Sequence, residues 1–463
     1  MLKPIGALLI PLLITTAVAQ VDVLDRYIAE GLENNLALRQ QKFSYEKSVR
    51  ALDEARGLFF PSLNILARYT RADGGREIVV PVNSFVSPIY DSLNDLFVNL
   101  GLPPADFPEL PDQTIPFLRE KEHETKMRLV QPLFQPGIYH NYHLRKHLRE
   151  IQSLATVIYK RDLIRNIKQA YFNYAQALYA VDIFQQTREV LAENLRVSER
   201  LFAAQKVTRD AVYRAEAELS AVEQQQLGVQ NRLQQSRSYF NFLLNRPLDS
   251  EIIFDESALK LPIRDFTYEE ATHFALTHRE ELAQLRTGIE AAGESRSISK
   301  SAYFPGLNAV VDYGFQGEEY RFDRDHDFWT ASVVFEWNIF NGLQDKARVE
   351  QATLEQRRLE TQMAELNRQI ELEIRQAYDN FKIAQKKIEV AGKQLVSARA
   401  SFELIQKKYQ QGAANLIEFL DARSNFTGAE ISRLIAYYDY YASYAQLERS
   451  TAYYILPELK DKE

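Results

Sequence analysis

The sequence predicts a mainly α chain with a membrane β-barrel portion, built as a duplicated helix–strand–strand–long-helix repeat. Three observations predict it. One stretch alternates strictly between apolar and polar residues with a tryptophan at each end of its apolar face. Most of the chain is written twice. Two very long segments, 137–246 and 306–456, contain no proline.

The alternating stretch is Asp327–Gly342, DFWTASVVFEWNIFNG. Trp329, Ala331, Val333, Phe335, Trp337 and Ile339 fall on one face, and Thr330, Ser332, Val334, Glu336 and Asn338 on the other. A period of two marks a strand with one apolar and one polar side. Trp329 and Trp337 are the only tryptophans of the chain. Their separation along a strand is about 27 Å, or about 20 Å vertically at a tilt of ~40°, close to an outer-membrane apolar band with an aromatic girdle at each interface. Read alone, the stretch suits a half-buried strand of a soluble sandwich equally well.

Residues 1–19 hold an early Lys3, an apolar run from Ile5 and the small-residue triplet Ala17-Val18-Ala19. This reads as a secretory signal, with the mature chain starting at Gln20. Nothing else approaches eighteen uninterrupted apolar residues, so any membrane crossing must use strands. The chain has no cysteine, which excludes disulfides, thiolate metal sites, cysteine nucleophiles and a lipidated cysteine anchor. A net charge of −7 argues against nucleic acid as a partner.

The duplication organises the rest. Phe60-Pro61-Ser62-Leu63-Asn64 recurs as Phe304-Pro305-Gly306-Leu307-Asn308, 244 residues later. Ile167-Lys168-Gln169-Ala170-Tyr171 recurs as Ile374-Arg375-Gln376-Ala377-Tyr378, 207 residues later. The offset falls because the first copy carries an insertion between its strands. The expected organisation is a first repeat at 20–250, a linker at 251–266, a second repeat at 267–456 and a tail at 457–463.

Each repeat opens with helical sequence, Val23–Gly57 and Tyr268–Ala302, ended by Phe-Pro because proline lacks a donor and restricts the residue before it. Two strands follow per repeat, expected at about 62–70 and 125–134, then 306–316 and 328–340. Their polar faces carry Arg68, Lys126, Arg128, Asp312 and Glu336, which suits a water-filled lumen better than a packed core. Four strands cannot close a barrel and open edges are not tolerated in lipid, so the chain must oligomerise to span a membrane. The insertion 71–124 holds seven of the sixteen prolines and reads as an irregular outer loop, with Asp91–Leu100 a candidate short helix.

Long helices are expected at 138–245 and 342–454. Leu163, Ile167, Ala170, Tyr174, Ala177, Val181 and Phe184 repeat at spacings of four and three. Ile370, Ile374, Ala377, Phe381, Ala384, Ile388, Ala391 and Leu395 do the same. A sustained 3.5-residue period predicts left-handed knobs-into-holes packing. From Gly342 to Gln411 is ~105 Å of helix, too long for a compact domain. Each long helix then turns back: Gly412 suits a helix C-terminus and Asn415 a cap for the next, while Gln205 and Thr208 stand in those places in the first copy.

The doubled Phe-Pro-x-Leu-Asn, the Leu133-Phe134 and Ile339-Phe340 junctions, the turn from Tyr409 through Gly412, Asn415 and Glu418 to Asp421-Ala422, and its counterpart Val207-Thr208-Arg209-Asp210 resemble the TolC-like outer membrane efflux protein family over nearly the whole mature length. The resemblance implies a homotrimer whose twelve strands form a β-barrel in outer-membrane lipid, continued into the periplasm by a long α-helical barrel. It implies a channel-tunnel of a tripartite efflux or type I secretion system. Partners would be a periplasmic adaptor (membrane fusion protein) and an inner-membrane pump of RND, ABC or MFS type. Matched residue by residue, the family's acidic rings at the periplasmic gate fall at Glu418 and Asp421, and its gate aromatic at Tyr409. A position that can carry a latching arginine holds Ala414 here, leaving Arg209 or Arg214 as substitutes.

Other constellations carry less. His140, His143 and His147 lie on one helix face at metal-compatible spacing, but no cysteine, and no carboxylate nearer in sequence than Glu150, completes a set. They are weak candidates, and no metal or cofactor is expected. Tyr437, Tyr438, Tyr440, Tyr441 and Tyr444 read as packing rather than a ligand platform. No phosphate loop or nucleophile elbow is present, so an enzyme is not expected. A trimeric surface adhesin or structural coiled-coil protein would share the heptads but not the duplicated strand pairs.

Overall fold

The computed structural model describes residues 23–255 and 263–454. The predicted signal 1–19, the tail 457–463 and residues 256–262 of the predicted linker lie outside the described residues. The first repeat gives α1 (Val23–Asn34), α2 (Leu36–Gly57), β1 (Ser62–Arg71), β2 (Glu77–Val80), α3 (Val82–Asn99), β3 (Gln113–Pro116), β4 (Lys121–Phe134), α4 (Pro136–Ala203) and α5 (Arg209–Leu243). The second gives α6 (Tyr268–His278), α7 (Glu280–Ser301), β5 (Gly306–Gly317), β6 (Asp327–Glu336), α8 (Gln344–Gln410) and α9 (Leu416–Thr451). Helices α4 and α8 run 68 and 67 residues without interruption.

The duplication extends to individual turns. After α2, Phe59 and Phe60 donate to the carbonyls of Arg56 and Gly57; after α7, Tyr303 and Phe304 donate to those of Lys300 and Ser301. At the end of α4, Gln205 adopts φ 56° and Lys206 N–H returns to Leu201 O; at the end of α8, Gly412 adopts φ 74° and Ala413 N–H returns to Lys408 O. Both are six-to-one closures around a left-handed residue, which satisfy carbonyls a helix end would otherwise orphan.

The chain forms two compact units, and neither coincides with a repeat. One gathers residues through Arg50, Lys146–Ala292 and those from Leu354 on; the other gathers Ala51–Arg145 and Gly293–Thr353. The repeats are units of sequence, not separate bodies.

The helical unit packs along the heptad positions. Leu163, Ile167, Ala170 and Tyr174 of α4 are buried with Phe240 of α5 and with Leu24 and Ile28 of α1. Ile370, Ile374, Ala377 and Phe381 of α8 are buried with Leu447 of α9 and with Ala271 and Ala275 of α6. Leu163/Ile370, Ile167/Ile374 and Phe240/Leu447 all keep the 207-residue offset, so one apolar pattern builds both cores. Gly31 shows why α1 comes so close: a Cβ there would stand 2.4 Å from Ile167 Cδ1. The tyrosine run of α9 serves these cores, with Tyr438 and Tyr441 in the first and Tyr444 in the second.

The other unit holds an antiparallel sheet in the order β1-β4-β5-β6. Its end strand β6 stops at Glu336, short of the expected 340, because its partner β5 begins only at Gly306, opposite Glu336 and directly after Pro305; beyond it the Trp337 indole Nε1 donates to Tyr303 O at 3.1 Å. Strand β4 starts at Lys121, earlier than the expected 125, since its register with β1 runs through to Arg71↔Lys121. The insertion 71–124 is more ordered than an irregular loop: β2 and β3 pair, and α3 spans Val82–Asn99 instead of starting at Asp91. Tyr90 stacks on Phe107 at 4.4 Å, and Asn94 Oδ1 accepts from Ala105 N at 2.8 Å. These fasten one face of α3 against the segment that follows it.

Candidate conduit surfaces: the sheet wall and the helical turns

Two regions carry functional chemistry: the two faces of the sheet, and the turns where α4 and α8 reverse. Pairing registers define the faces. Ile65, Met127, Tyr313 and Trp329 lie in one row across all four strands, beside a row of Leu63, Leu129, Val311 and Ala331. All these rows are apolar, and Trp329 is 72% exposed. So large a contiguous apolar face demands an apolar neighbour.

The opposite face pairs Asn64, Arg128, Asp312 and Thr330 in one row. Arg128 holds Asp312 with two parallel bonds, Nε to Oδ1 at 2.8 Å and Nη2 to Oδ2 at 2.7 Å. Lys126 Nζ stands 3.4 Å from Asp312 Oδ2 and 2.6 Å from Glu124 Oε1, and Arg68 Nη2 is 3.4 Å from Glu124 Oε2. Of the charged residues expected to line a water-filled lumen, Arg68, Lys126, Arg128 and Asp312 form one alternating ladder through Glu124, with Asp312 at 5% exposure. Cross-strand pairing explains it, since opposite charges directly across a sheet attract each other rather than water alone. Gly314 makes room: a Cβ there would meet Thr125 O at 2.4 Å and Lys126 Cβ at 2.5 Å.

At the turn into α9, Asn415 caps as expected. Its Oδ1 accepts from Glu418 N at 2.9 Å, and its Nδ2 donates to Glu418 Oε1 at 2.9 Å. Glu418 and Asp421 are exposed, and Asp421 Oδ2 accepts from Asn425 Nδ2 at 3.2 Å. Tyr409 stacks on Phe419 at 4.9 Å, and its hydroxyl lies 3.4 Å from Asn194 Nδ2 of α4.

At the turn into α5, Thr208 holds the N-cap position but its side chain caps nothing; the hydroxyl donates to the Asp210 carboxylate instead. Arg209 rests over the Tyr213 ring at 5.4 Å, and Arg214 stands 3.9 Å from Asp210. Both arginines make these contacts within their own turn.

Among the described residues no group of three or more His, Cys, Asp or Glu side chains is placed to hold a metal ion. His140 Nδ1 lies 2.7 Å from Glu294 Oε2, a carboxylate brought in by α7 that sequence spacing alone could not place beside it. His147 Nδ1 is 3.4 Å from Glu290 Oε2. His143 packs on Tyr139 at 4.5 Å. They serve as partners for α7 and for ring packing.

The reading of the sequence missed one charged residue of the helical unit, Arg423. It sits at i+4 from Phe419 and i−3 from Phe426, inside the apolar stripe of α9. A cation on a core stripe is the signal by which it could have been found.

A family model described as Outer membrane efflux protein matches residues 272–452. The chain is 19% identical over 438 residues to Outer membrane protein TolC of Salmonella enteritidis, covering 92% of this chain and 81% of that one. It is 24% identical over 191 residues to Alkaline protease secretion protein AprF of Pseudomonas aeruginosa, covering 38% of each. The fold superposes on crystal structures of CusC with a TM-score of 0.76 at 16% identity, over 93% of this chain and 92% of that one.

Proposed function

We propose, since this chain belongs to the outer membrane efflux protein family of TolC-like channels, that three copies assemble into an outer-membrane channel-tunnel. It conducts substrates passively from an inner-membrane pump and periplasmic adaptor to the outside. The observation that carries this reading is the sheet β1-β4-β5-β6, apolar on one face, charged on the other and open at both edges. Lipid tolerates no open edge, so β6 of one copy must pair with β1 of the next. Three copies give a closed barrel of twelve strands whose charged ladders face water. Helices α4, α5, α8 and α9 of the three copies continue that duct, and Trp329 and Trp337 mark its two membrane interfaces.

The turns at 203–209 and 410–416 lie at the periplasmic end, where Glu418 and Asp421 form acidic rings and Tyr409 holds the hairpin in. Similarity to a protein named for alkaline protease secretion favours polypeptides as a second class of cargo beside small molecules.

The test is reconstitution of purified full-length protein into planar lipid bilayers, with chemical cross-linking in parallel. Discrete conductance steps from a cross-linkable trimer are expected. Release of the protein from membranes by carbonate or urea washing, with no conductance, would overturn the reading.

A further inference from the structure

Phe402 of α8 and Phe419, Ala422 and Phe426 of α9 form a small core of their own, and one cation stands inside it. Arg423 is 5% exposed, with its guanidinium carbon 5.2 Å from the ring centres of both Phe402 and Phe426. Little compensates that charge. Nη2 donates to Thr187 Oγ1 of α4 at 2.7 Å, the Glu430 carboxylate stands 3.8 Å off, and Nε finds no partner among the described residues.

Thr187 has nothing more to give. Its hydroxyl donates to Ile183 O at 2.8 Å, and its two lone pairs face Arg423 and the Thr427 hydroxyl at 3.2 Å. Burial lowers the Arg423 guanidinium from its usual range and raises the Glu430 carboxyl, so both charges are held against desolvation.

The same cluster reaches the turn. Phe402 lies 5.8 Å from Phe419, Phe419 stacks on Tyr409, and the Tyr409 hydroxyl meets Asn194 of α4. The α8–α9 hairpin therefore touches α4 through polar groups at Thr187 and at Asn194, and the first of these carries the buried cation.

We infer that Arg423 is the release element of the α8–α9 hairpin: a cation enclosed by two rings and held on α4 by one hydroxyl, it makes the docked hairpin conditional on that hydroxyl. This rests on the conduit reading, in which the hairpin tip closes the periplasmic end. A fully paired charge would lock the helices, and an apolar side chain would glue them. A half-satisfied buried charge does neither, because leaving the slot restores its hydration. The hairpin is then a two-state element whose docked state is favoured by a small margin.

The experiment is single-channel conductance of full-length protein in planar bilayers. Thr187→Val keeps the shape of the side chain but removes the acceptor and strands the cation; conductance is expected to rise at least threefold. Arg423→Met keeps bulk and removes charge, and is expected to conduct no more than the wild type. The double variant is expected to match Arg423→Met, since no charge remains to be stranded.

Equal conductance of Thr187→Val and wild type, or of Thr187→Val and the double variant, would overturn the inference. So would a rise in Arg423→Met, which also decides the matter if Thr187→Val fails to assemble. If the wild type itself forms no channel, the conduit reading falls and takes this inference with it; a conducting wild type with unresponsive variants sinks the inference alone.

Discussion

Asn35 and Arg279 stand 244 residues apart at the same place in the two repeats, and each is the buried polar residue at which a helix pair breaks. Asn35 Oδ1 accepts from Leu38 N at 2.9 Å, capping α2, while Nδ2 donates to Leu243 O at 2.8 Å at the end of α5. Arg279 instead reaches Glu281 and, at 2.6 Å, Glu373 of α8. One backbone break is thus kept by a neutral cap in one copy and an ion network in the other.

Asn35→Ala should cost about 1–3 kcal/mol, because it orphans one buried donor and one buried acceptor together. Thermal unfolding of detergent-solubilised protein, followed by circular dichroism, measures it. Asn35→Asp keeps the cap acceptor but sets a carboxylate oxygen against Leu243 O, and should be no better than alanine.

The network at Arg279 gives a dependence on acid. Burial pushes Glu281 up, but bonds from Arg279 at 2.9 Å and Arg449 at 2.7 Å, with their charges, outweigh it and bring it to about 2 from an ordinary 4.5. A carboxyl depressed in the folded state stabilises above its unfolded value, and that contribution is lost as pH falls from 4.5 towards 2. Glu281→Gln should cost about 2 kcal/mol at neutral pH, discounted for the partial exposure of the site. The gap from wild type should close across that same acid window, read as melting temperature against pH.

The proposed rings at Glu418 and Asp421 predict cation sensitivity from within the periplasm. Millimolar trivalent cation applied from the periplasmic side of a bilayer should block wild-type current. Glu418→Ala with Asp421→Ala should weaken that block about tenfold or more, as expected when two carboxylates per copy are removed from a shared site. Glu418→Ala also removes the reciprocal bond with Asn415, so Glu418→Gln is the control that keeps the hydrogen bond and drops the charge. Unchanged block would show that the carboxylates are merely solvated.

What the sequence made legible was whatever repeats with a period. The heptads at Ile167 and Ile374, the alternation from Trp329 to Phe335, and the left-handed turn at Gly412 all carry their geometry in spacing. The first half of α3, ahead of the expected start at Asp91, was hidden because Pro88 and a dense run of prolines after the helix imitate a loop, and its fastening by Tyr90 and Phe107 is not periodic. The end of β6 escaped because alternation continues through Trp337 and Ile339 after the ladder has stopped. Glu294 beside His140, Asp312 beside Arg128 and Thr187 beside Arg423 are partners 154, 184 and 236 residues apart. Only the fold could bring those groups together. Thr208 shows the converse: the right residue at a cap position still chose a nearer carboxylate.

The open edges of β1 and β6 have a genetic consequence. If closure takes one edge from each of three copies, a chain with a defective edge spoils every ring that includes it. Coexpressed in equal amount with the wild type and mixing at random, such an allele would leave roughly one ring in eight wholly wild type. Proline placed in β6 at Val333, opposite Ala309 in the register, would make that allele dominant, whereas the loss of a monomeric channel of the same fold would be recessive.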